Sequence, residues 1–118
     1  GALVERTRTA LRALEREGRP IQAVVLDLRT LNPLDMDSIA ESVKRTNRVL
    51  VAYEDSKSWG WGAEIAARVA DELFEWLDAP VRRLAATDTF VGYAPQLEAE
   101  ILPQVPDISA AMEELKAY

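Results

Sequence analysis

The chain is 118 residues long, carries a formal net charge of −6, and contains neither cysteine nor histidine. Without those side chains there is no Ser-His-Asp triad, no cysteine nucleophile, and no ordinary zinc, haem or iron–sulfur site. The negative charge disfavours nucleic-acid binding, and the longest apolar run, residues 49–53, is far shorter than the roughly 20 residues of a membrane span. These observations predict one cytoplasmic domain, residues 1–118, that binds neither nucleic acid nor a membrane.

Two apolar patterns of different period open the chain. Residues 2–17 have helical spacing, and Gly18 follows where a helix C-cap favours a left-handed residue. Residues 21–28 are rich in β-branched side chains and almost continuously apolar, which predicts a strand buried on both faces, as in a parallel sheet. The expected inner face of the first helix consists of Leu3, Thr7, Ala10, Leu11 and Leu14.

The alternation of helix and strand patterns continues along the chain. Asp35 is the expected N-cap of a helix over residues 36–45, and residues 48–53 indicate a second buried strand. The strongest helical pattern covers residues 63–77. Its expected inward side chains are Ile65, Ala66, Val69, Ala70, Leu73, Trp76 and Leu77.

The last part of the chain completes this pattern. Residues 81–86 are a third strand candidate, residues 95–102 a short helix, and Asp107 the expected cap of a last helix, with Pro103 and Pro106 breaking the chain before it. The inward side chains of the last helix would be Ile108, Ala111, Met112 and Leu115.

The order of these elements predicts an α/β three-layer sandwich with a mostly parallel sheet between helical layers. Such domains normally begin with a strand, whereas this chain opens with a helix. The pattern therefore predicts a fragment of a longer chain that lacks its first strand.

The turn around Gly60 and Gly62 is the first candidate for a binding site, because backbone N–H groups at a helix start can bind phosphate. The dinucleotide fingerprint would need a third glycine where Ile65 stands, and no P-loop lysine follows Gly62. We therefore interpret the turn as a close backbone approach, with Trp59 and Trp61 as packing or interface anchors.

Charged residues at the ends of the predicted strands are the second candidate. Carboxylates at the carboxyl edge of an open α/β sheet can bind Mg²⁺ or act as acid and base. We favour a simpler interpretation, in which Asp27 pairs with Arg29 and the loop acids cap helices or face water. The residues alone indicate no catalytic, metal-binding or cofactor-binding group. The candidates are Asp27, Arg29, Glu54, Asp55, Thr87 and Asp88.

Several segments, taken in order, resemble the transketolase C-terminal domain in the form found in β subunits of 2-oxo acid dehydrogenase E1 components. They are VLDLRTLNPLD at 25–35, SVKRTNRVLV at 42–51, Glu54, GWGAEI at 60–65, PVRR at 80–83, Asp88 with Thr89, and YAP at 93–95. Phe90 and Gly92 stand where many family members have prolines. The family's domain begins with an apolar strand that ends in a glycine, which Gly1 resembles.

The resemblance implies an assembly role. In this family thiamine diphosphate and its Mg²⁺ are held by other domains, so this chain alone is expected to bind neither and to be inactive. The parent oxidoreductase, of the pyruvate dehydrogenase kind, would decarboxylate a 2-oxo acid oxidatively and transfer the acyl group to lipoyl-E2. This domain would self-associate through the β–β contact and would adjoin the E1 α subunit and, in some members, the E2 core. The expected interface residues are Trp59, Trp61, Phe90 and Tyr93, and the expected structural ones are Asp27, Arg29, Glu54, Gly60 and Gly62.

Two other functions fit the same sequence pattern. A free-standing flavodoxin-like domain would bind a phosphorylated small ligand at the carboxyl edge of the strands, and would lose that ligand when Gly62 is replaced by a bulky residue. A regulatory or adaptor fragment would bind a partner without adjoining a catalytic domain in its own gene.

Overall fold

A computed structural model describes residues 2–28, 35–56, 61–86 and 103–118. Within these ranges the elements, in chain order, are α1 (Ala2–Arg16), α2 (Met36–Thr46), β1 (Leu50–Ser56), α3 (Trp61–Glu72), a 3₁₀ turn (Phe74–Trp76), β2 (Arg82–Ala86) and α4 (Val105–Lys116). Strands β1 and β2 are parallel, with Leu50 opposite Arg82 and Ala52 opposite Leu84. The predicted α/β class is therefore confirmed. The helix predicted over residues 95–102 lies outside the described residues.

Two apolar clusters lie on opposite faces of this sheet. One is shared by α2 and α3, and Val51 of β1 packs against it. The other is shared by α1 and α4, and Leu50 packs against that one. Neighbouring residues of a strand point to opposite faces, so the helices enclose the sheet from both sides as the three-layer prediction requires. The buried members are Ile39, Val43, Ile65, Val69 and Leu73 in the first cluster and Ala10, Leu14, Ile108 and Met112 in the second.

The ends of α1 and α2 follow the predicted local chemistry. Gly18 has a φ of 76°, the left-handed conformation expected after α1. Asp35 caps α2, because its carboxylate accepts hydrogen bonds from the Ser38 backbone N–H at 3.1 Å and the Ser38 hydroxyl at 2.7 Å. Asn47 then ends α2 with a φ of 64°.

The capped carboxylate makes stability depend on pH in the acid range. The two hydrogen bonds from Ser38 hold the pKa of Asp35 below its ordinary value of 3.8. A group whose pKa is lowered by folding contributes stability above its unfolded pKa, and loses that contribution as the pH falls through the folded pKa. We expect Asp35→Asn to lack this acid-dependent component, while its amide oxygen keeps a cap.

Urea unfolding followed from about pH 6 to about pH 2 checks this expectation. Asp37→Asn is the matched control, because it removes a carboxylate from the same helix end without removing the cap. It should retain the full acid-dependent loss of stability. Identical pH dependence of the two variants would contradict the assignment.

The strand predicted over residues 21–28 is wrong for the described structure. The side chains of Val24 and Leu26 are 45% and 43% exposed, although the sequence pattern predicted burial on both faces. Residues 21–26 make no backbone hydrogen bond with another residue of the described ranges. The segment has the composition of a buried strand, but β1 and β2 pair with each other and give it no ladder.

Helix α3 is shorter than the predicted helix over residues 63–77. It ends at Glu72, and the chain continues as the 3₁₀ turn. The side-chain amide of Asn47 donates to the Trp76 carbonyl at 2.7 Å, and the Asn47 carbonyl accepts from the Asp78 N–H at 2.8 Å. These bonds fix the turn from outside the helix, so Trp76, predicted to face inward, remains 39% exposed.

Asp107 does not take the predicted N-cap position of α4. Gln104 occupies that position, and the Asp107 carboxylate accepts from the Gln104 backbone N–H at 2.9 Å. Pro106, expected to break the chain, lies in the first turn of α4, where a missing N–H removes no intrahelical bond. The inward face is confirmed by the burial of Ile108, Met112 and Leu115.

Candidate functional site

Most residues predicted to form a site lie outside the described part of the chain. Of the predicted residues, Asp27 and Gly62 alone are described with their surroundings, and Asp27 is exposed. Glu54 lies in β1 and Trp61 begins α3, but their side chains are not described. The structure therefore brings no predicted pair of site residues together. The residues outside the described ranges are Arg29, Trp59, Gly60, Thr87, Asp88, Phe90 and Tyr93.

Gly62 is a packing residue in this structure. It is buried in the first turn of α3, beneath the aromatic ring of Tyr53 from β1. A Cβ atom at position 62 would overlap the Cγ, Cδ1 and Cε1 atoms of that ring. The absence of a side chain therefore lets the start of α3 approach β1, and the same packing leaves the ring where a ligand at this backbone would have to lie.

An apolar groove of about 920 Å³ runs beside α3 and is the main concave surface of the described chain. One wall is a stripe of small side chains with helical spacing, followed by Phe74. The opposite wall comes from the connection to β2, with Arg83 of β2 and Tyr118 beyond α4. The principal lining residues are Ala63, Ala67, Ala70, Phe74, Leu77, Pro80, Val81, Arg83 and Tyr118.

Phe74 is the most exposed large apolar side chain among the described residues, with 76% of it accessible to water. Its position continues the stripe of Ala63, Ala67 and Ala70, away from the buried row that includes Val69. The 3₁₀ turn that carries it is fixed by Asn47 and also by Lys44, whose ammonium lies 5.2 Å from the centre of the Trp76 ring. The phenyl ring thus projects from an anchored segment.

Tyr118 is held at the groove by two arginines. Arg82 donates to the Tyr118 hydroxyl at 2.8 Å and pairs with Glu114 at 3.2 Å. Arg48 donates to the backbone carbonyls of Leu115, at 3.0 Å, and of Tyr118. These bonds join the end of α4 to the sheet and keep one aromatic ring in the lining.

The described residues suit contact with an apolar partner better than they suit catalysis. Of the charged side chains, Asp78 and Arg83 alone line the groove. No group of three histidine, cysteine, aspartate or glutamate residues in the described ranges is placed to hold a metal ion. None of the helices described has the length and hydropathy of a transmembrane segment.

The sequence prediction missed the residues that define this groove. Phe74 falls outside the inward stripe predicted for residues 63–77, and a large aromatic side chain off the inward face is a signal of an exposed apolar surface. The alanines gave no such signal, because alanine is common on both buried and exposed helix faces. The contribution of Tyr118 depends on long-range bonds to Arg48 and Arg82.

The fold and this surface define a class of domain: a parallel α/β sheet enclosed by two helical layers, with an apolar groove along one helix. The family model described as "Transketolase, C-terminal domain" matches residues 1–108. The chain belongs to this family, and the resemblance found in the sequence is confirmed.

Similar proteins include several E1 β subunits. The chain is 46% identical over 98 residues to a rice protein named pyruvate dehydrogenase E1 component subunit beta-2, mitochondrial, with 83% of this chain and 26% of the relative covered. It is 38% identical over 117 residues to the pyruvate dehydrogenase E1 β subunit of Staphylococcus epidermidis, covering 99% of this chain and 34% of the relative. A Bacillus subtilis acetoin:2,6-dichlorophenolindophenol oxidoreductase subunit beta is 41% identical over 115 residues, with 95% and 33% covered. The chain thus spans about a quarter to a third of the length of these relatives.

Proposed function

We propose that this chain is the non-catalytic assembly domain of an E1 β subunit in a 2-oxo acid dehydrogenase, and that the groove beside α3 is a subunit contact. The observation that carries this proposal is the exposed phenyl ring of Phe74 at the end of a stripe of small residues. The assignment to an E1 β subunit rests on the relatives, whose printed names describe such subunits.

The composition of the groove supports a protein contact. Small side chains let another backbone approach closely, and an aromatic side chain that enters a partner is a common source of binding energy. The apolar centre with one acidic and one basic residue resembles the apolar core and polar rim of protein interfaces. We therefore propose a second β subunit as the first partner, with the E1 α subunit and the E2 core as further partners.

The parent reaction that we propose is oxidative decarboxylation of a 2-oxo acid with acyl transfer to lipoyl-E2, which uses thiamine diphosphate and Mg²⁺. The described residues do not fit a site for either group. They place no set of metal-ligating side chains together, and Tyr53 fills the space at the glycine that could have approached a diphosphate. We therefore assign this chain no step of the reaction. The cytoplasmic location stays a prediction.

The phosphate-binding alternative receives no support from Gly62, because packing against Tyr53 already accounts for a glycine there. The adaptor alternative shares the groove with our proposal and differs in what precedes the domain in its gene. Titration with inorganic phosphate tests the first alternative, and saturable binding by the wild-type chain would favour it.

The assembly proposal is tested by Phe74→Ser in the full-length β subunit, mixed with its α subunit. Loss of a buried aromatic anchor commonly weakens association by about 2 kcal/mol, so we expect roughly thirtyfold weaker assembly in a sedimentation dilution series. Glu72→Ser is the matched control, because Glu72 is exposed on α3 but does not line the groove. Unchanged assembly of Phe74→Ser, with an unchanged circular dichroism spectrum, would contradict the proposal.

A further inference from the structure

Segment 21–28 has the sequence of a buried strand but no strand partner in the described structure. Val24 and Leu26 expose 45% and 43% of their side chains to water. No backbone hydrogen bond links residues 21–26 to another described residue. An apolar segment with unpaired backbone groups is a template for pairing with another strand.

The position of segment 21–28 shows where such a strand would fit. At one end Ile21 packs against the cluster shared by α1 and α4, as Leu50 of β1 does. At the other end Leu28 packs against the cluster shared by α2 and α3, as Val51 does. The segment therefore contacts the same two helical layers that enclose β1. Among the described strands β1 pairs with β2 alone, so one edge of β1 has no described partner.

We propose that a single additional strand, parallel to β1, lies between β1 and segment 21–28 and pairs with both. Its source is the polypeptide that precedes α1 in the full-length protein. This inference does not rest on the proposed function.

The handedness of strand–helix–strand units supports this source. Helix α1 ends at Arg16, and residues 17–20 connect it to segment 21–28. A strand that leads into such a helix returns parallel to the strand that follows it, in almost all cases through a right-handed crossover. Because the relatives are three to four times longer than their matched parts, they have polypeptide from which such a strand could come.

The layers determine the chemistry of the proposed strand. Apolar side chains of α1 and α4 cover one face of the sheet, and those of α2 and α3 cover the other. A strand between these layers is buried on both faces, so it must be apolar in nearly every position. Its backbone would satisfy the donors and acceptors of segment 21–28, and its side chains would cover Val24 and Leu26.

Amide hydrogen exchange in the full-length polypeptide tests the proposal, with this 118-residue chain as the comparison. We expect alternate amides of segment 21–28 to exchange about a hundredfold or more slowly than unprotected amides in the full-length protein, at every protein concentration. In the 118-residue chain we expect that protection to be absent, whether or not the amides of α3 remain protected.

Three results would overturn the proposal. Protection that disappears on dilution of the full-length protein would identify a second copy as the partner. Equal protection of segment 21–28 in the 118-residue chain at low concentration would place the partner strand within these residues. Fast exchange in both proteins would mean that the segment has no strand partner.

A pair of variants gives an independent readout in the full-length protein. Leu26→Lys places a charge beside the proposed strand and should lower the melting temperature. Gln22→Lys is the control, because Gln22 is on the same side of the segment but is already polar, and it should have little effect. Equal melting temperatures of the two variants would contradict burial of Leu26.

Discussion

Gly62→Ala is expected to lower the free energy of unfolding by about 1–3 kcal/mol, because the added methyl group must displace the Tyr53 ring. This direction is diagnostic. In an exposed helical turn, the change from glycine to alanine would raise stability by about 1 kcal/mol through helix propensity alone. Urea unfolding of the two proteins measures the difference.

A rescue experiment separates steric overlap from other causes. In a Tyr53→Leu background the same glycine substitution should cost much less, because the ring that it meets has been removed. Gly18→Ala is the contrasting control: Gly18 has a positive φ and no atom within 4 Å of the position that an added Cβ would take, so its cost should not depend on Tyr53. An additive cost of Gly62→Ala in both backgrounds would contradict the proposed contact.

Leu14→Ala is expected to lower the free energy of unfolding by about 2–5 kcal/mol, the usual cost of truncating a fully buried leucine. Leu14 is 1% exposed and lies in the cluster that joins α1 to α4. The substitution opens a cavity between the two helices of one layer, and the rigid sheet beside them limits how far they can close it.

Leu11→Ala tests whether this cost depends on position. Leu11 is in the same helix and has the same side chain, but it is only partly buried against the cluster. Its truncation should cost clearly less than that of Leu14. Equal destabilisation by the two variants, measured by urea unfolding, would contradict the arrangement of α1 in the structure.

The parts of the fold that the sequence predicted well depend on local chemistry. The helical periodicity around Ala10 and Leu14 placed the inner face of α1 correctly, since that face follows from residue spacing. The cap of α2 was predicted from Asp35, because a capping carboxylate bonds to residues only three positions away. The left-handed residue after α1 followed from Gly18 in the same way.

The parts that the sequence did not predict depend on distant partners. The 3₁₀ turn that exposes Trp76 is fixed by Asn47, which lies 29 positions earlier. Segment 21–28 has an apolar pattern that describes a strand, but a strand forms only where a neighbouring strand supplies its hydrogen bonds. At the candidate site, the need for a glycine at position 62 was predicted, whereas the identity of the ring it meets, Tyr53, was not.

The central claim is that the groove beside α3 is covered by another subunit in the assembled enzyme. The chain contains no cysteine, so Ala70→Cys places one new thiol in this domain with little change in volume. Its rate of labelling by a maleimide, located by peptide mass mapping, should be about tenfold lower in the assembled enzyme than in the dissociated subunit. Glu72→Cys, outside the groove, should react at the same rate in both. Equal labelling of Ala70→Cys in both states would contradict the claim.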